Sequence, residues 1–410
     1  MQEGLDRQGF HITVTLSEKQ KEPILHTNER LGDEQITVSK SYLDYLISRG
    51  PKETFFFLTT ILFLDGNRLI SSAYYPALHS SIIDAIFPTN KGDYGNTAYE
   101  LYEQTGLGVF SVIYRYYQSI GKPLEDVVMH FVNNVMCDLL GKEEFRLDLL
   151  PFVKPYYCVN EHLFNEIQSL CLQWHLFTEY GSVDARMIGL DDFSNRFDKL
   201  KSLVPIKYLN RKEAPHFKQV CDCLFSYGGL PIPMESNIKA QTFAELVSNY
   251  EIKFDEYAKT YNAGEALQFL SDENIIAKGS TGIIEFVDPL RIKLCEIAYQ
   301  KDCLPYSILN AEAKKIADEW LGKGYFSTEN ELFSKHELDY LSYIFDDKLY
   351  SNAKRLRNKY EHGSGKFIRE KEAITDYFYG LKALCEIISK FYDELSMLMT
   401  RTGKKDGANR

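Results

Sequence analysis

The chain has 410 residues, too many for one ordinary core, so two or three domains are expected. Its net charge of -11 excludes a uniformly basic nucleic-acid coat, so a polyanion has to meet a local positive patch. The strongest apolar run, 54–64 (TFFFLTTILFL), falls short of the roughly 20 residues of a spanning helix and reads as a buried helix or strand.

The opening residues, Met1 to Asp6, lack a basic stretch followed by an apolar one. No signal peptide is expected from them, and the expected location is cytoplasmic. The eight cysteines are scattered mostly through apolar contexts and read as reduced thiols. Cys221 and Cys223 form a C-x-C pair with His216 upstream, but a fourth ligand at sensible spacing is missing. Neither a metal nor a cofactor is therefore expected.

Phe10 to Leu16 alternates and is β-branched, which predicts a strand, with Gln35 to Val38 as its partner and the charged segment 17–34 as the connection. From Ser39 the apolar spacing turns helical through Tyr42, Leu43, Leu46 and Ile47, and stops at Gly50-Pro51. Residues 52–200 read as helices separated by breaks at 88–92 and 121–123. One of these helices, Glu125 to Leu140, is strongly apolar and carries His130 as a core residue. Residues 1–200 are thus expected to form a mostly helical regulatory or sensor domain with a small β element.

Residues 201–287 are less regular, with 227–233 as a hinge-like loop. A helix over 264–270, a strand over 273–277, a Gly turn at 278–282 and a strand over 283–287 give this connecting segment a winged-helix-like outline. It lacks a helix rich in Arg and Lys, which favours a scaffold or docking role over DNA binding. From Asp288, a predicted N-cap before Pro289, the chain reads as helical. Further helices are expected over 307–321, from a capping box at Ser334, over 349–362 and over 368–399. Residues 288–402 are taken as one helical bundle and 403–410 as a flexible tail.

The sharpest signal is Leu356-Arg357-Asn358-Lys359-Tyr360-Glu361-His362-Gly363. Arg and His with four residues between them are a weak pattern alone, and it recurs at Arg211 and His216, where Pro215 bars a helix interior. The 357–362 copy adds Asn after the Arg and Gly after the His. Leu349, Leu356 and Tyr360 are expected to give its helix a buried side. Lys354, Arg355, Lys359 and Lys366 make the surroundings locally basic, as an anionic substrate requires. The bland alternative is a surface pair between Arg357 and Glu361, with His362 capping a helix.

On these residues the C-terminal quarter, about 288–400, resembles the HEPN superfamily of helical domains, whose ribonuclease members carry an R-x(4–6)-H motif. Arg357, Asn358 and His362 match that motif residue by residue. The resemblance implies a metal-independent endoribonuclease in which the RNA 2′-hydroxyl attacks the adjacent phosphate. His362 is then the general acid/base and Arg357 the phosphate ligand. Asn358 is the orienting residue, and Lys354, Arg355, Lys359 and Lys366 are RNA-binding.

On an ideal helix Arg357 and His362 lie about 140° apart. Two facing copies resolve this, so the resemblance implies a homodimer. It also implies a toxin or abortive-infection role against phage, with an antitoxin or phage-derived trigger as a possible partner. A non-cleaving RNA- or protein-binding module and a winged-helix transcription regulator stand as alternatives.

Overall fold

The computed structural model describes residues 2–7, 10–30, 33–79, 90, 92–141, 145–183, 196–234, 236–346, 349–361 and 368–401. Helices hold 59% of the chain and strands 11%, so the fold is mainly α. The chain groups into two units, 1–204 with 331–410, and 205–330.

The first unit begins with β1 (Gln2–Arg7), β2 (Phe10–Ser17), β3 (Ile24–Arg30) and β4 (Asp33–Ser39). They form one sheet in the order β1-β2-β4-β3. β2 and β4 pair as expected and run parallel, with Val14 opposite Ile36 and Leu16 opposite Val38. The segment read as their connection contains β3, which adds antiparallel to β4. Its charged sequence suits an edge strand, which needs no apolar alternation.

Ser39 caps α1 (Lys40–Arg49), its hydroxyl accepting from the Tyr42 N–H. The apolar run becomes α2 (Pro51–Leu58) and then a π-helical turn, Thr59–Phe63. Next come α3 (Thr97–Ser119), which packs on β2 and β4, and α4 (Leu124–His130). The latter continues through a π turn, Phe131–Met136, to Leu140. α5 (Tyr156–Tyr180) completes this half.

The second unit contains β5 (Tyr208–Arg211), α6 (Pro215–Phe225), α7 (Phe243–Asn249), α8 (Phe254–Thr260) and α9 (Gly264–Asp272). After the hairpin β6 (Ile276–Lys278) and β7 (Ile284–Phe286) come α10 (Pro289–Lys301), β8 (Cys303–Leu304), α11 (Ala311–Gly322) and β9 (Phe326–Glu329). The predicted helix, strand, turn and strand are present as α9 and the hairpin. No division falls at 287, however. Ile292, Leu294 and Ala298 of α10 share one core with Val220 and Leu224 of α6 and Ala317 of α11, so 289–330 belongs with 205–287. The helix expected over 307–321 starts later, because the Asn310 side chain caps it at the Ala313 N–H.

At Glu331 the chain re-enters the first unit. Leu332 N–H donates to the Leu200 carbonyl at 2.9 Å, so the two ends of the departure are hydrogen-bonded. α12 (Lys335–Phe345) starts at the predicted capping box of Ser334 and Glu337. α13 (Leu356–Glu361) and α14 (Glu370–Arg401) follow. The expected C-terminal bundle is therefore not a separate body. α14 is the central helix of the first unit, and every residue from Asp376 to Phe391 is buried. It packs against α3, α5 and α12.

A helix buried on all sides cannot leave its charges unpaired. Lys382 pairs with Glu386 at 2.7 Å, and Lys390 with Glu337 at 2.8 Å. Glu394 accepts from Ser202 Oγ at 2.6 Å and from Leu203 N–H at 2.7 Å. These residues recur every four positions, one inward ladder along α14.

Candidate functional site

The motif helix α13 is shorter than expected. Residues 349–355 are not helical, because they pair with a loop instead. Ser351 N–H donates to Gly92 O at 2.9 Å, and Asn352 brackets the Tyr94 backbone at 2.8 and 3.0 Å. Arg355 then takes a positive φ of 59° before the helix begins. Leu349 is 61% exposed, so it does not serve as part of the buried side; Leu356 and Tyr360 do, both at 0%.

Tyr360 anchors the helix. Its ring lies 5.3 Å from that of Phe164 on α5, and its hydroxyl donates to Asp376 on α14 at 2.9 Å. Burial pushes the Asp376 carboxyl up, against the Lys359 charge and the Tyr360 hydrogen bond, which pull it down. Lys359 also reaches Glu372 at 2.9 Å.

The expected basic residues thus separate by role. Lys354 turns inward, its ammonium 4.5 Å from the Tyr379 ring centroid and 3.9 Å from Glu103, a carboxylate that burial pushes up. Lys359 is committed to Glu372 and Asp376. Arg355 is exposed. Lys366 and His362 lie outside the described residues, as do the expected tail and the 184–195 part of the N-terminal region. The spatial relation of Arg357 to His362 is therefore not part of the described geometry.

Arg357 is half-buried and donates to Asp346, just past the end of α12, at 2.5 Å. It is not an isolated surface cation. Together with Phe164, Ile167, Gln168 and Cys171 of α5, with Phe345, and with Arg196 and Phe197, it lines a small cavity. The cavity volume is about 20 Å³, room for about one water. The Cys171 thiol is pushed up to about 12 by burial, so it stays protonated and is not a nucleophile. Asn358 is half-buried on the same helix.

Asp346, Arg196, Phe345 and Asp376 were not identified from the sequence. Each is an ordinary residue in an ordinary local pattern, and only the fold brings it to α13. The Cys221-x-Cys223 pair lies on α6, where residues two apart face different ways. Cys221 is buried, and His216 meets Glu273 at 3.5 Å. Among the described residues no group of three His, Cys, Asp or Glu is placed to hold a metal ion. No described helix is long and apolar enough to cross a membrane. Comparison with protein-family models, curated proteins and solved structures finds no match for this chain.

Proposed function

We propose that this protein is a metal-independent endoribonuclease of HEPN type, with Arg357, Asn358 and His362 as its site. The observation that carries the reading is the placement of Arg357. Its basic neighbours Lys354 and Lys359 are committed to interior carboxylates. Arg357 instead stands at a cavity and pairs with Asp346, a partly exposed carboxylate that a phosphate can replace.

In the reaction the RNA 2′-oxygen forms a bond to phosphorus as its proton leaves. The P–O5′ bond breaks, the 5′-oxygen takes up a proton, and a 2′,3′-cyclic phosphate remains. His362 moves the proton near neutral pH, and Arg357 offers its planar fork to the charged phosphoryl oxygens. Asn358 orients the histidine or the phosphate. Two copies facing each other assemble the cleft, and the biological role is that of a toxin or abortive-infection effector released by an antitoxin or phage-derived trigger.

A second reading is a binding module that does not cut RNA. The Arg357–Asp346 pair bears on it, since a guanidinium partly neutralised by a carboxylate stabilises a charged transition state less. The deciding experiment is cleavage of a mixed RNA pool in EDTA by the wild type, Arg357→Ala and His362→Ala. Cleavage by the wild type alone, leaving cyclic-phosphate ends, supports the ribonuclease. RNA retention without cleavage supports the binding module. Cleavage by both variants overturns the site.

A further inference from the structure

A second arginine converges on the same cavity. Arg196 comes from the stretch before the turn Phe197–Lys199, far in sequence from Arg357, yet both line one pocket. Two guanidinium groups directed to one place repel unless something negative sits between or beside them. Two carboxylates fill that role here. Asp198 takes Arg196 through both Nε and a terminal nitrogen, at 2.9 and 2.5 Å, and Asp346 takes Arg357. The charge of Asp346 also reaches Arg196 and, after Asp198, helps to hold its proton.

The remaining walls are mostly apolar: Phe164, Ile167, Cys171, Phe197 and Phe345. The cavity itself, at about 20 Å³, is far too small for a nucleotide base. The Arg196 side chain is 61% exposed, so its head lies at the rim. A ligand that meets both arginines lies across the opening, and a strand with a phosphate at every nucleotide can offer one to each. That describes a polynucleotide strand and not a mononucleotide inserted in a pocket.

We infer that Arg196 is a second substrate-binding residue, which takes the phosphate next to the one held by Arg357 on a single RNA strand. The inference rests on the ribonuclease reading for its substrate. Arg196 binds the strand and does not take part in the bond-making step, so its loss weakens binding without slowing the chemistry.

The test uses full-length protein and a fluorescent single-stranded RNA of about 20 nucleotides, chosen to span two or more phosphates. Arg196→Ala is expected to raise KM roughly tenfold with kcat unchanged. It is also expected to lower the slope of log affinity against log salt by about 0.7, the value for one lost contact to a single strand. Arg196→Lys restores the slope but only part of the affinity, since it keeps the charge and loses the fork.

An unchanged KM and salt slope in Arg196→Ala, beside an Arg357→Ala variant that no longer cuts, overturns the inference and leaves the ribonuclease standing. A fall in kcat alone also overturns it. If the wild type does not cut RNA, the ribonuclease reading fails. The salt slope of binding then still decides Arg196, a reduced slope supporting it and an unchanged one overturning it.

Discussion

Lys390 on α14 reaches Glu337 on α12 at 2.8 Å, and both side chains are fully buried. Glu337 also accepts from Ile70 N–H at 2.8 Å and from Ser334 N–H at 2.7 Å, while Lys390 donates to the Arg68 carbonyl at 2.9 Å. One ion pair thus ties the central helix, a helix start and an N-terminal loop together. Removing one partner leaves an uncompensated buried charge, which costs about 3–5 kcal/mol. Lys390→Met is expected to lose that much in urea unfolding, and the Lys390→Met/Glu337→Gln double variant to recover part of it.

The same pair sets a pH dependence. Burial pushes the Glu337 carboxyl up, but the charge and hydrogen bond of Lys390, together with the N–H bonds from Ser334 and Ile70, outweigh it and hold the group below its ordinary value of 4.5. A depressed carboxylate contributes stability above its unfolded pKa and loses it as pH falls through the folded one. The wild type should therefore weaken below about pH 4.5 in part through Glu337. In Lys390→Met burial is opposed only by the Ser334 and Ile70 N–H hydrogen bonds, so this contribution shrinks and stability falls less steeply with acid. Urea midpoints between about pH 3 and 7 check this; parallel curves for the two proteins would sink it.

Asp346 pairs with Arg357. An ion pair between half-exposed groups is worth about 0.2–1 kcal/mol, so Asp346→Asn is expected to tighten RNA binding by up to about fivefold at low salt. The gain should vanish near molar salt. Fluorescence anisotropy with a labelled RNA reads it directly, and weaker binding in the variant would show that Asp346 orients Arg357 for the substrate.

Gly380 sits where α14 crosses α5. A Cβ there would lie 2.8 Å from Phe164 Cε1 and 3.0 Å from Leu163 Cδ2. Phe164 cannot yield easily, since its ring also meets Tyr360 and Phe345 and walls the Arg357 cavity. Overpacking of this kind costs about 1–3 kcal/mol. Gly380→Ala is expected to lower the thermal midpoint and to weaken RNA binding beyond what the loss of folded protein explains.

The second unit leaves and returns through neighbouring strands of chain. Leu200 and Leu332 are hydrogen-bonded, and Lys201 pairs with Glu331. Closing a short loop between these ends carries little entropy cost. Replacing 205–330 by a short Gly-Ser linker is expected to leave a folded protein that unfolds cooperatively. Loss of its helical circular dichroism would show that 205–330 is needed for the remainder to fold.

Local pattern was legible in the sequence wherever one residue's neighbours determine the outcome. The strands from Phe10 and at Gln35–Val38, the Ser39 and Asp288 caps, the Ser334 capping box and the stop at Gly50 follow from alternation, capping chemistry and glycine geometry. The motif residues Arg357 and Asn358 were likewise visible. The domain boundaries were not, because nothing local marks α14 as the core of a unit begun at the other end of the chain.

Sequence alone therefore determined a mainly helical chain and a candidate Arg-Asn-x-x-x-His site. Tertiary structure decided which carboxylate each cation near that site meets. Lys354 and Lys359 read as part of a positive patch, yet carboxylates from α3 and α14 take them inward. It also decided that Arg357 shares a cavity with Arg196 and faces Asp346. Charge is written in the sequence, but its partner is chosen by which distant elements pack together, because electrostatic energy depends on separation in space and not along the chain.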